Sequence, residues 1–268
     1  MPLRVTFDTN TLADVVLPEV SQQPTNPADA ARVRAAIQLG KIQGFFSETL
    51  VTLEGVQTKD RAAVFGSTRL QSESTCTDEN TITISIGVVQ DRKPLEPRFF
   101  ERIQAARGLD MRALKGPARI GWIYVQDEDG MLFEPDGSTL ELSARLDKVH
   151  KVATAIAERG LGHAAAVKFG LQFSASDGMS EPELWYKGLL RAKENGGTNR
   201  VKEVVAEWAD GDSVAAHYGY GIDRFCSRDF GQNAGKASVL HPDNRRWLSE
   251  AFGIQFVTLA ELAEMAAA

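Results

Sequence analysis

Apolar and polar residues follow two periods along this chain, and the two alternate at both ends. Residues 3–7 set Leu3, Val5 and Phe7 between Arg4 and Thr6, which predicts a short strand. A polar turn, Asp8-Thr9-Asn10, follows, and 12–17 begin an apolar helix. Residues 27–40 place Ala31, Val33, Ala36 and Ile37 at helical spacing and end on Gly40, the pattern of a helix closed by a glycine cap. A second strand fits 44–47. The stretch 48–59 predicts a helix with Leu50, Leu53 and Glu54 on one face, because positions three and four apart are neighbours.

The middle of the chain is less regular. Residues 81–89 alternate as a strand does, 119–125 are a further strand candidate, and 99–106 and 142–159 have helical spacing. Asp-Gly at 129 and again at 136 makes 127–137 a turn region able to carry a hairpin. Regularity then returns. Helices are expected over 181–192 and 200–209, with Gly196-Gly197 between them, and Asp212 opens a further small-residue helix to about 218. Strand 223–227, helix 243–252, strand 254–257 and helix 259–265 complete the chain. No repeat or low-complexity stretch is present. Strands alternating with helices argue for an α/β fold with a mainly parallel sheet sandwiched by helices.

Composition adds limits. At 268 residues, 43% hydrophobic and 25% charged, the chain buries a substantial core and matches ordinary globular proteins. It has no run of eighteen or more apolar residues and no leader-like start, so the reading expects no membrane span and a cytoplasmic location. Its two cysteines, Cys76 and Cys226, lack the spacing of a zinc site or a disulfide framework. The net charge of −6 argues against a broad basic nucleic-acid surface. It does not exclude a nuclease, because carboxylates gathered around cations lower the formal charge while the ions restore positive potential locally.

Four acids stand out. In open α/β sheets ligands bind beyond the carboxyl ends of the strands, and Asp8 and Asp229 follow predicted strands there. Glu54, on the expected helical face, and Asp212, at an expected helix start, are able to project toward the same edge. Gathered together, four carboxylates repel one another unless cations neutralise them. An oxygen-only set suits Mg²⁺ or Mn²⁺ and hence phosphoryl-transfer chemistry. Each acid alone also has a local explanation. Asp8 and Asp212 fit helix N-caps, Glu54 fits a solvated edge, and Asp229 fits an Asx turn before Gly231. The joint pattern carries the argument.

That pattern resembles the PIN-domain ribonuclease family. Val5-Thr6-Phe7-Asp8-Thr9-Asn10 is similar to the family's opening strand and acid, and Ser47 through Glu54 to its second motif. Asp212 through His217 and Gly221 through Asp229 look like its third and fourth motifs, and Phe252 through Leu262 like its closing strand and helix. The resemblance spans residues 1–60 and 200–268 and implies a three-layer α/β/α sandwich enlarged by an inserted α+β segment, 61–199. It further implies divalent-metal-dependent endoribonuclease activity with Mg²⁺ or Mn²⁺ and an RNA substrate. Asp8, Glu54, Asp212 and Asp229 would be the catalytic acids and the metal ligands, directly or through water, with Asn10 and Ser227 as supporting polar residues. Asp210, two positions from Asp212, is the reserve for the third acid. The competing reading is a noncatalytic PIN-like module that binds RNA or protein. A homodimer and an inhibitory partner protein both stay open.

The remaining candidates have plainer explanations beside their chemical ones. His217 and His241 have the residue type of proton shuttles, but no acid partner is visible in the sequence. Arg224, Arg228, Arg245 and Arg246 suit phosphate contacts or solvation equally. Trp185, Tyr186 and Trp208 fall on helical segments, where packing competes with base stacking. Gly219-Tyr220-Gly221 matches no phosphate-binding loop.

Overall fold

The computed structural model describes residues 1–20, 26–78, 81–91, 93–117, 133–134, 139–174, 184–231 and 235–267. Its centre is a five-stranded sheet in the order β5-β2-β1-β6-β7, made of β1 (Leu3–Phe7), β2 (Ile42–Ser47), β5 (Arg112–Leu114), β6 (Arg224–Cys226) and β7 (Phe256–Val257). Every described pairing in it is parallel, as the strand-helix alternation predicts. The chain leaves β1 toward β2 and β5, then returns to β6 and β7 on the other side. The order therefore reverses between β1 and β6, where the register Phe7↔Cys226 sets Asp8 beside Ser227.

Helices cover both faces of the sheet. Alternate strand residues point to opposite sides, so Val5, Phe7 and Cys226 meet α1 (Thr9–Val16), α2 (Pro27–Gln38), α5 (Pro97–Arg107) and α11 (Leu259–Ala267) through Leu12, Val33, Ile103 and Leu262. Phe225 on the other side packs with Val149 and Val152 of α6 (Thr139–Glu158), Val214 of α9 (Thr198–Gly219) and Leu248 of α10 (Pro242–Phe252). Phe7, Phe45, Phe46 and Phe225 are fully buried, each worth about 1.5–3 kcal/mol by burial of its side chain.

The long helix α9 joins this core to a second one. Its first half carries Val201, Val204, Val205 and Trp208 into a cluster with Phe65 of α4 (Thr58–Gly66), Ala166 of α7 (His163–Gln172) and Tyr186 and Leu189 of α8 (Trp185–Glu194). An antiparallel hairpin, β3 (Arg69–Asp78) with β4 (Thr81–Val89), stands outside both cores with Ile82 and Ile84 exposed.

Several expectations change here. Residues 61–199 are not wholly separate from the sheet, since α5 and β5 lie within those numbers and β5 is the edge strand beside β2. The expected helix 48–59 is only the four-residue α3 (Thr49–Thr52). It stops because the chain folds back on itself: Gly55 lies so close to the Leu50 carbonyl that a Cβ there would sit 2.6 Å from the oxygen. The helices expected over 200–209 and from Asp212 are one continuous α9, because Gly196 and Gly197 precede it and Gly211 does not interrupt it. The strand expected over 119–125 lies outside the described residues, as does most of the turn region 127–137. Within that region Phe133 bridges Ala113 in parallel.

Candidate active site

Asp8 is the best-organised of the acids. It caps α1, as its position predicts, by accepting from Thr9 N at 2.8 Å. Its Oδ2 also accepts from Asn10 Nδ2 at 2.6 Å and Ser227 Oγ at 2.7 Å. Cap and site are thus the same residue, and the two supporting polar residues both bond to it. Asn10 ties a further strand end by accepting from Arg228 N at 3.3 Å, while Arg228 pairs with the buried Asp14. Burial pushes the Asp8 carboxyl up to about 6; Glu54 and Asp229 add to the rise, and the Ser227 and Thr9 hydrogen bonds oppose it.

Glu54 reaches this place from the turn after α3. Its Oε2 accepts from Thr9 Oγ1 at 2.7 Å and Thr49 Oγ1 at 3.2 Å, so the acid is held by the residue following Asp8. Arg61 braces the turn by donating to the carbonyls of Glu54 (2.8 Å) and Val56 (3.0 Å). Asp229 forms the expected Asx turn, with Oδ1 accepting from Gly231 N at 2.7 Å. Ser227 Oγ accepts from its backbone N–H, and the buried Arg245 donates to its carbonyl.

The third acid from α9 is where the arrangement departs from expectation. Asp212 lies in mid-helix, buried, and accepts from the Trp208 indole N–H at 2.7 Å. Its charge acts on Glu48, which burial raises to about 7 and whose Oε1 accepts from Gly116 N at 2.8 Å. Asp210, two residues earlier, points roughly 200° away around the helix. Its carboxyl is raised well above the usual range by burial first, then by Asp8, Glu207, Glu54 and Asp229 in that order. Asp210 therefore lies on the side of α9 that shares a cavity with Asp229 and within electrostatic reach of Asp8 and Glu54, with Asp212 turned to the Trp208 side. The signal for this lay in the helical register: Asp210 follows Glu207 by three, one face, while Asp212 follows Trp208 by four, another face.

Glu207 is a residue the sequence reading missed. Its Oε2 accepts from Val239 N at 2.9 Å, and burial, with Asp229 contributing, raises it to about 7. With Asp210, Asp229, Lys202 and Asn199 it lines a polar cavity of about 390 Å³. The histidines have structural roles. His217 is buried with Nδ1 3.0 Å from Thr6 Oγ1 and is pushed down to about 3, chiefly by burial. His241 caps α10, its ring accepting from Asp243 N at 3.2 Å.

All the donors here are oxygens, and Asp8 and Asp210 carry protons more tightly, through burial first and then through the neighbouring carboxylates. A hard divalent cation would relieve that repulsion, so the donor set fits Mg²⁺ or Mn²⁺. Among the described residues, no three His, Cys, Asp or Glu side chains already stand in ion-holding proximity. Comparisons with family models, curated proteins and solved structures return no match. Among the described residues no helix is long and apolar enough to cross a membrane.

Proposed function

We propose that the chain is a divalent-metal-dependent endoribonuclease, with Asp8, Glu54, Asp210 and Asp229 as the residues that hold the ion. The observation that carries this reading is where the acids lie. At the point where strand order reverses, the place where open α/β sheets bind ligands, Ser227 bonds Asp8 and the Asp229 backbone, Thr9 joins the Asp8 turn to Glu54, and Asp210 shares a cavity with Asp229. When bound, the cation would lower the pKa of a coordinated water and offset charge on the phosphate. The chain's own residues supply the frame. Ser227 and Asn10 fix the orientation of the Asp8 carboxyl, Thr9 and Thr49 that of Glu54, and Arg245 the backbone of Asp229.

The test is cleavage of a fluorescent single-stranded RNA in Mn²⁺. The wild-type chain should cleave it, and Asp8→Asn should lose roughly 100-fold or more of the rate while melting as a folded protein, as expected when a group acting on the reacting centre is removed. Undiminished cleavage by Asp8→Asn sinks the proposal. One observation favours the noncatalytic reading: the acids are not preassembled as a coordination shell among the described residues. That reading predicts RNA or protein binding that survives neutralisation of all four acids.

A further inference from the structure

Among the described residues the β3–β4 hairpin is a sheet of its own, with no third strand on either edge. None of its described residues belongs to a buried apolar cluster. Its root is fixed. Gln90 Nε2 donates to Thr68 Oγ1 at 2.6 Å in a buried contact, and Asp91 N donates to Ser67 Oγ at 2.8 Å. From that root the hairpin projects as an arm, with 71–76 and 81–85 exposed and Val89 half-buried. Two strands alone are marginal in water, and further strands or a packed face normally supply what they lack.

The pattern along the arm points to what would supply it. Cys76↔Ile82 and Ser74↔Ile84 are directly opposed pairs, so the four residues share one face, where Ile82 and Ile84 are 66% and 64% exposed. The two edges differ. β3 carries Arg69, Glu73 and Asp78, and charge on an edge resists pairing, whereas β4 has neither a charged residue nor a proline from Thr81 to Val89. With a net charge of −6, two copies of the chain repel each other overall, and β4 is an edge on which no charge opposes their approach. β4 also matches itself. Laid antiparallel on its own copy about Thr83, it sets Ile82 opposite Ile84 of the second copy, and Ile84 opposite Ile82, pairs of the favourable β-branched kind. The overlap is then 81–85, the exposed outer part of the arm.

We infer that β4 is a self-association edge, through which two copies of this chain join their hairpins into one four-stranded antiparallel sheet. The contact is isologous, each copy offering the same strand, and it brings the four exposed isoleucines of the pair together on one face. None of the carboxylates assigned to the ion lies on the hairpin, so the inference stands apart from the nuclease reading.

The experiment is sedimentation velocity of the full chain over a wide range of protein concentration, in reducing agent so that the exposed Cys76 forms no intermolecular disulfide. The wild type should pass from monomer to dimer as concentration rises. Ile82→Lys and Ile84→Glu each disrupt both isoleucine pairs, and each should weaken the dimer roughly 2- to 30-fold. Both positions are exposed in the single chain, so each variant should melt at low concentration as the wild type does. Mixing the two variants should restore the dimer, because the new lysine then faces the new glutamate while the other pair keeps both isoleucines. A wild type that is monomeric at every concentration overturns the inference and leaves the edge to a strand of another protein. A dimer that neither substitution weakens also overturns it, by placing the interface elsewhere. Weakened variants that the mixture does not restore overturn the antiparallel pairing about Thr83.

Discussion

At the scale of single residues, about half a turn of helix separates the two acids that compete for the third position. Asp210 and Asp212 are both carboxylates two positions apart, and only their angular placement on α9 separates them. One feels Asp8, Glu54 and Asp229, and the other accepts the Trp208 N–H. Accordingly, Asp210→Asn should abolish Mn²⁺-dependent RNA cleavage and Asp212→Asn should keep it, since an asparagine oxygen still accepts from the indole. A kinetic comparison of the two purified variants checks this, and the reverse pattern would restore Asp212 as the third acid. The sequence alone favoured Asp212 because it stands directly before the apolar run 214–217. Only the helix phase, set by the continuity of α9, shows that this run packs inward while Asp210 lines the cavity with Glu207 and Asp229.

Glu48 supplies a second residue-scale prediction, in stability. Its carboxyl titrates near 7 in the fold against an ordinary value of 4.5, with burial the largest cause. Between those values the folded chain holds a proton that the unfolded chain has lost, so this contribution is fully present below about pH 4.5 and is lost as pH rises through 7. Glu48→Gln keeps an acceptor for Gly116 N and removes the charge. It should stabilise the protein by about 1–3 kcal/mol at pH 8 and change little at pH 4.5. Urea melts at the two pH values measure it, and equal effects at both would show that Glu48 is not held protonated.

At the scale of elements, the strands and helices of the ends were legible because their periodicity is clean. The helix expected over 27–40 appears as Pro27–Gln38 with Gly40 at a φ of 70°, and 81–89 is a strand to the residue. What the sequence concealed were effects of close approach. Residues 48–59 have helical spacing but stop after one turn, because Gly55 folds the chain against Leu50. The α7–α8 contact is of the same kind. A Cβ at Gly188 would lie 1.9 Å from the Gly170 carbonyl oxygen, so the two helices meet backbone to backbone. Gly188→Ala should therefore destabilise the protein by about 1–3 kcal/mol or more through overpacking, even though alanine favours helix. A drop in the urea midpoint tests this, and an unchanged midpoint would mean the helices separate at no cost.

At the scale of the whole molecule, a parallel sheet under two helical layers was readable from alternation alone, whereas the edge position of β5 was not. A three-residue strand inside an irregular region has too little pattern to announce itself, and it is fixed by pairing Phe45↔Arg112 through Ser47↔Leu114 rather than by its own sequence. The topology that results puts the strand-order reversal between β1 and β6 and so brings Asp8, Ser227 and Asp229 together from opposite ends of the chain. A folded chain that binds a cation there, and an unfolded one that does not, must be stabilised by the ion. Adding Mn²⁺ at a hundredfold excess over its dissociation constant should raise stability by about 2.7 kcal/mol in the wild type, and Asp8→Asn should show little of that gain. The most direct measurement is anomalous diffraction from crystals soaked in Mn²⁺. The account predicts a peak bounded by the carboxylates of Asp8, Glu54, Asp210 and Asp229, with Asp212 still bonded to Trp208. Peaks elsewhere only, or a peak ligated by Asp212, would contradict it.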